Sequence, residues 1–284
     1  MISTNPFSVL SGLIPPIAMQ IYVVVMVLMV VGGTILDMMH KKSAQYFFEN
    51  SKKAQKNAKR TVSGGEKASL ALKTLTNEVL TSAEFENPRR RVSHLFTMYG
   101  FILFVVSTAV MIFGYSTADS ATPAIWPLLW HLGALMVCFG GYWFWFFIRV
   151  DVNSEGVRWY HLVRADLFIV SLLLTATFGL IWSALQTGSA TGWATILFFA
   201  LFIISCTTLF STVLWSKFAH MFFKPAAAFQ KKITRADGSR ENLPNDYDLS
   251  DPAVHAKFPD IPEYMGTNPP YMGLGIKREP PRHY

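Results

Sequence analysis

Charge and cysteine are both scarce in this chain of 284 residues. Charged residues make up 15% of it, against about 25% in ordinary soluble domains, so composition argues against a soluble globular fold. The two cysteines, Cys138 and Cys206, both lie inside apolar runs. They cannot supply a four-thiolate cluster or a disulfide framework, which excludes an iron–sulfur cluster ligated by this chain alone. No basic segment precedes the first apolar run and no small-residue cleavage site follows it, so that run is expected to be an uncleaved anchor rather than a removable signal peptide. A phosphate-cradling glycine motif, a zinc signature and a catalytic-triad pattern are also missing, leaving hydrolase and kinase chemistry without support. There is no internal repeat and no charge near the middle of any apolar run. Both absences speak against a transporter built on inverted repeats.

The chain does have long uncharged runs, with 51% hydrophobic residues, 14% aromatics and eight tryptophans, and a mean hydropathy of +0.31. Five segments qualify as membrane spans: Ile14–Met39, Phe96–Tyr115, Ala124–Ile148, Ala165–Gln186 and Thr191–Ser216. At about 1.5 Å rise per residue each can cross a hydrocarbon core of about 30 Å. Their only charges are Asp37 near the end of the first and Asp166 at the start of the fourth. In lipid such backbone must hydrogen-bond internally, so these runs predict helices and the fold class is all-α, a five-helix transmembrane bundle. Residues 1–39 form the first span, 40–95 a basic loop, 96–230 the other four spans, and 231–284 an extended tail.

All 25 lysines and arginines fall after the first, third and fifth spans. The positive-inside rule therefore puts the N-terminus outside and the C-terminus in the cytoplasm. The net charge of +7 suits an anionic inner leaflet and needs no nucleic acid. The loop opens on a basic stretch broken by Tyr46, Phe47 and Phe48, readable as an interfacial helix or as a solvated linker. Ser63 and Glu66 then form a capping-box pattern ahead of Leu72, Leu75 and Val79 at helical spacing, which predicts a short amphipathic helix. The Pro-, Asp- and Tyr-rich tail from Lys231 has no apolar periodicity and is expected to order only on a soluble partner.

Histidine is the informative residue type. His40, His94, His161 and His220 all sit at cytoplasmic span ends, and His131 lies alone near the outer end of the third span. Any one of them can be a solvated interfacial residue or a functional group. His94 opens the second span and His220 closes the fifth, on helices of opposite direction, so both imidazoles reach one depth. A b-type haem needs two neutral imidazoles facing each other at matching height. Arg90, Arg91 and Lys217 are then the candidates for pairing with its propionates.

The Arg-rich approach to His94, the Tyr99-Gly100-Phe101 that follows, the Lys217-Phe218-Ala219-His220-Met221 closing motif and the five-span layout resemble the nitrate reductase gamma-subunit-like cytochromes b. That family includes the membrane subunits of quinone-interacting and heterodisulfide-reductase-type complexes. The resemblance covers roughly residues 14–230. The two-haem members carry further histidines on the second and fifth helices, at places where this chain has Phe104 and Phe202. The resemblance thus implies a single cytoplasmic-side haem b, with bulky rings in the outer haem's space. As a stand-alone bundle, the chain looks most like the membrane anchors of dissimilatory adenylylsulfate reductase in sulfur-oxidising bacteria. That likeness implies a place in a bacterial inner membrane, a soluble flavin/iron–sulfur oxidoreductase docked on the cytoplasmic face and electrons passing to quinone.

A quinone site needs a titratable donor reachable from water. His161, Arg164 and Asp166, at the start of the fourth span, are candidates, with His161 as donor near neutral pH and Asp166 as relay if burial raises its pKa. The same residues can equally be a local network anchoring the helix end. Two readings stay open: a redox subunit with at most one haem, and a haem-free scaffold that only recruits the soluble enzyme.

Overall fold

A computed structural model describes residues 2–41, 43–83, 85, 87–149, 158, 160–216, 218, 220–239, 247 and 251–259. Among them there is no strand. Five helices are long and apolar enough to cross a membrane, and the chain is a multi-pass membrane protein. A short helix α1 (Pro6–Leu10) precedes the first span, α2 (Pro16–Lys41). The loop that follows holds α3 (Ser43–Lys56) and α4 (Gly64–Lys73), the latter running into a π-helical stretch Thr74–Leu80. The remaining spans are α5 (Pro88–Gly114), α6 (Ile125–Trp143, extended by π turns over Phe144–Ile148), α7 (Leu167–Gln186) and α8 (Trp193–Ser211). Two further helices follow, α9 (His220–Ala236) and α10 (Pro252–Lys257).

Lipid gives helices no hydrophobic reason to associate, so small residues and polar links must hold the bundle. The tightest contact is α5 on α6. A Cβ placed on Gly100 would lie 2.7 Å from the Gly133 carbonyl oxygen, and one on Gly133 would lie 2.7 Å from that of Gly100. Lower on the same seam the Ser93 hydroxyl donates to the Gly140 carbonyl at 2.8 Å. Aromatic rings fill the interior away from the basic end: Phe104 stacks on Trp130 with centroids 4.9 Å apart, and Trp182 stacks on Phe202 at 5.6 Å. Such pairs contribute about 0.5–1.5 kcal/mol each beyond burial. Asn5 fastens the N-terminal segment to this cluster. Its Oδ1 caps α1 through the Phe7 and Ser8 amides while its Nδ2 donates to the Tyr115 carbonyl at 2.8 Å. The first span, α2, is held more loosely, with Gly33 against Val213 and Tyr22 hydrogen-bonded to Thr207 at 2.9 Å.

At the opposite, basic end the loop and the segment after the fifth span form one unit. The Lys59 and Arg60 amides donate to the Asp237 carbonyl at 2.8 and 3.2 Å, and Arg60 Nε donates to Ala236 O at 2.6 Å. They take up carbonyls that the end of α9 leaves without helical partners, and Gly238 at φ +77° turns the chain away there, as helix C-termini commonly do. Lys232 and Glu78 pair at 3.1 Å. The expected capping box is half realised: Ser63 Oγ accepts from the Glu66 amide, but the Glu66 carboxylate takes Arg60 Nη1 at 2.9 Å instead of reaching back. Hydrogen bonding to Arg60 holds the Glu66 carboxyl below its ordinary value, about 4.3 in model peptides. A depressed folded pKa means the contribution is complete above that value and disappears as pH falls through the lower folded one. The protection of the Lys59 and Arg60 amides, exchange measured against the intrinsic rate at each pH, is therefore expected to fall only in acid, and Glu66→Gln should remove most of that pH dependence.

The second span begins earlier than expected, at Pro88 instead of Phe96 and so inside the expected loop 40–95, and two later boundaries also differ. The fifth span stops at Ser211, short of Ser216, because the chain turns at Thr212 (φ −99°, ψ 24°), whose hydroxyl bonds back to the Thr208 carbonyl at 2.6 Å. His220 thus opens the separate amphipathic helix α9 instead of closing the fifth span. The expected boundary at residues 230–231 falls inside α9, which continues to Ala236. The basic stretch forms α3 as expected. The Leu72 and Leu75 positions lie on a helix but are 62% and 49% exposed, so that stripe faces away from the chain's own core.

Candidate functional site

The site is assembled at the basic end of α5. Asn87 caps this helix through the Arg89 and Arg90 amides, with Pro88 in the first turn, where its missing N–H does no harm. That start places the Arg89–Arg91 triplet on the first turn and His94 on the second. The His94 ring, half-buried, lies 5.0 Å from the Phe85 ring. The Arg90 guanidinium carbon is 5.6 Å from the centroid of the same ring, and Lys224 Nζ, on α9, is 5.3 Å from it. One aromatic ring therefore gathers an imidazole and two cations from two separate segments. Contacts of this kind stabilise by about 0.5–1 kcal/mol each where exposed.

The expected propionate candidates divide. Arg90 belongs to this cluster. Arg91 points elsewhere: its Nε donates to the Thr81 carbonyl at 2.7 Å, and together with the Tyr99 hydroxyl on Leu80 O at 2.6 Å it clamps the π-helical stretch against α5. Lys217 lies outside the described residues, as does the His220 imidazole; the backbone of His220 starts α9, one turn before Lys224. Lys224 and Phe85 are the members that spacing did not single out. The signal for Lys224 was its place one turn beyond His220.

A haem b requires apolar surroundings, an imidazole on either side and cations at its propionates. Of these, the described residues supply one imidazole, His94, and two cations, Arg90 and Lys224. No group of three or more His, Cys, Asp or Glu side chains suited to a bare metal ion occurs among the described residues. Away from the basic end aromatic rings occupy the places of the outer histidines. Phe104 and Phe202 are 6 and 4% exposed, and their rings stand 6.5 Å apart. His131 is saturated: its Nδ1 is 2.7 Å from Pro127 O and must donate there, which leaves Nε2 to accept from the Ser183 hydroxyl at 2.8 Å.

At the start of the fourth span Asp166 meets Arg149 rather than Arg164. Arg149 Nε donates to Asp166 Oδ1 at 2.9 Å, its Nη2 contacts Oδ2 and also donates to the His161 carbonyl at 2.8 Å, and the guanidinium sits 4.2 Å from the Trp145 ring. Asp166 Oδ2 accepts from the Val163 amide at 2.9 Å. The two partners' side chains are 10 and 12% exposed. This is a helix-end clasp. The side chains of His161 and Arg164 are outside it, on exposed residues. Arg149 was visible in the sequence as the first charge after the third span, across one connection from Asp166.

A cavity of about 540 Å³ opens between α2 and the α5–α7–α8 face. Phe7 and Leu10 line one end of it, and Phe218 and Met221 the other.

No family model matches the chain, and no solved structure matches it. Over 170 residues it is 30% identical to Citrate utilization protein B of Escherichia coli, an alignment covering 55% of this chain and 41% of that protein. The chain thus spans less than half the length of this relative, and the likeness is to one part of it.

Proposed function

We propose that this chain is the membrane subunit of an oxidoreductase complex, taking electrons from a soluble cytoplasmic flavin/iron–sulfur enzyme and passing them to quinone through at most one haem b. The observation that carries the reading is the meeting of His94, Arg90 and Lys224 around Phe85, next to the unit built from α3, α4 and α9. The basic end would face the cytoplasm by the positive-inside rule, and the resemblance puts the chain in a bacterial inner membrane. His94 and His220 would hold the haem, with Arg90, Lys217 and Lys224 beside its propionates. When bound, the group supplies a one-electron relay. The protein's own part is to fix the His94 ring against Phe85, to keep the interior dry with Phe101, Phe210 and Phe218, and to offer the exposed Leu72 and Leu75 to the docked enzyme. For quinone, His161 is the candidate exposed to water, whereas Asp166 is committed to Arg149.

By its resemblance the soluble partner is adenylylsulfate reductase. The Escherichia coli relative's link to citrate utilization adds citrate as a second substrate class to test on the partner. The alternative is a haem-free scaffold, favoured by the ring-filled outer interior. The purified complex is expected to give a reduced-minus-oxidised b-type spectrum, lost in His94→Ala while partner binding is kept. A colourless complex that still binds its partner in His94→Ala would leave the scaffold. Truncation after Ser239, which spares α9, is expected to weaken partner binding under either reading.

A further inference from the structure

The helical run that carries Leu72 and Leu75 ends under three local costs. α4 continues without a break into the π-helical stretch Thr74–Leu80, whose turns take one residue more than α turns and are found mostly at functional sites. Ser82 follows at φ +47°, the left-handed position that helix ends commonly give to glycine. Ser82 is 1% exposed, and its hydroxyl meets no hydrogen-bond partner among the described residues, which is unfavourable for a buried polar group. Costs of this kind persist only where the surrounding contacts override them.

Those contacts come from α5. The Tyr99 hydroxyl and Arg91 Nε take the carbonyls of two successive residues, Leu80 at 2.6 Å and Thr81 at 2.7 Å, at a helix end that has no amides of its own to offer them. Beyond Ser82, the Phe85 amide closes a turn on the Ser82 carbonyl at 3.2 Å, and the Phe85 ring lies beside His94. Rewinding Thr74–Leu80 as α-helix would shed the π turns and free Ser82 from its left-handed conformation, but it would break both bonds to α5. It would also turn the exit of the run about the helix axis and carry Phe85 off His94. Two windings of one segment, each with its own cost, make a bistable element.

We propose that Arg91 and Tyr99 form a latch on this segment, and that the run Gly64–Leu80 is the lever by which the docked enzyme releases it. His94 is then covered by Phe85 in the free chain and uncovered while the enzyme is docked. The inference deepens the proposed function, on which it rests for the enzyme that grips Leu72 and Leu75.

The test uses the full chain in phosphatidylcholine nanodiscs, with Cys138 and Cys206 replaced by alanine. Spin labels are placed at Ala83→Cys, exposed beside Ser82, and at Gly114→Cys, at the far end of α5 with open space around its Cβ. Double electron–electron resonance is expected to show a main distance, that of the latched run, and a minor second one. Tyr99→Phe combined with Arg91→Gln should raise the share of the second about tenfold, the effect of two lost hydrogen bonds. Ser82→Gly should lower it about fivefold, since glycine adopts the left-handed conformation at no cost. In the complex purified with its soluble partner the second distance should be the main one, and stripping the partner with salt should restore the first. A single distance in every variant, a second distance that ignores the latch variants, or the same distances with and without the partner would each overturn the proposal. Two distances that answer to the latch variants in a chain with no copurifying partner keep the latch and remove the docking reading. A complex with a b-type spectrum and one fixed distance does the reverse.

Discussion

Gly133→Ala is expected to cost about 1–3 kcal/mol of bundle stability, the range for overfilling a close contact, and Gly133→Leu more. The added Cβ would meet the Gly100 carbonyl oxygen at 2.7 Å and the Phe104 amide nitrogen at 2.7 Å. Both are backbone atoms of α5, so no rotamer change can relieve the contact and the helices must move apart. Membrane helices depend on this closeness, because lipid tails compete equally for every apolar side chain. Separation would also strain the Ser93–Gly140 hydrogen bond, one residue from His94. The expected signature is thus a lower midpoint in detergent unfolding together with an altered His94 environment. Gly32→Ala is the control: nothing lies within 4 Å of its added Cβ, and alanine's better helix propensity should leave stability equal or raise it by up to about 1 kcal/mol. Equal midpoints for Gly133→Ala and Gly32→Ala would mean that the α5–α6 seam is looser than its geometry.

The five spans were legible because lipid allows little else: an uncharged run of that length must close its own hydrogen bonds. The end of the fifth was not, since Val213, Leu214 and Trp215 prolong the apolar composition past the turn at Thr212. Hydropathy counts residues and cannot register a hydroxyl that bonds back to the helix. The Ser63 cap was readable as a local pattern, but the Glu66 half of the motif lost to Arg60, whose backbone amide and side chain are drawn to the end of α9. His94 was singled out by its depth. Its neighbours Phe85 and Lys224 come together only through the packing of α9 on the loop, which no spacing along the chain encodes. His131 stood out as a lone histidine in a span, and its two nitrogens are taken by Pro127 and Ser183, a purely internal role.

Arg149→Ala is expected to be the most damaging single change at the basic end, at about 3–5 kcal/mol, the loss typical of leaving one partner of a buried ion pair uncompensated. The Asp166 side chain is 12% exposed and would lose both guanidinium contacts while its charge stays beside the Val163 amide. Arg149→Lys should recover only part of the loss, since a point ammonium cannot serve both carboxylate oxygens and the His161 carbonyl together or lie flat on Trp145. Replacing both partners, Arg149→Leu with Asp166→Leu, should restore most of the stability, because the desolvation cost of the charges disappears with them. Raising salt should change little, as buried pairs are weakly screened. The readouts are the detergent unfolding midpoint and the rate of proteolysis between the third and fourth spans. A loss under about 1 kcal/mol for Arg149→Ala would put the pair among solvated surface bridges. In that case Asp166 would not need Arg149 to stay charged.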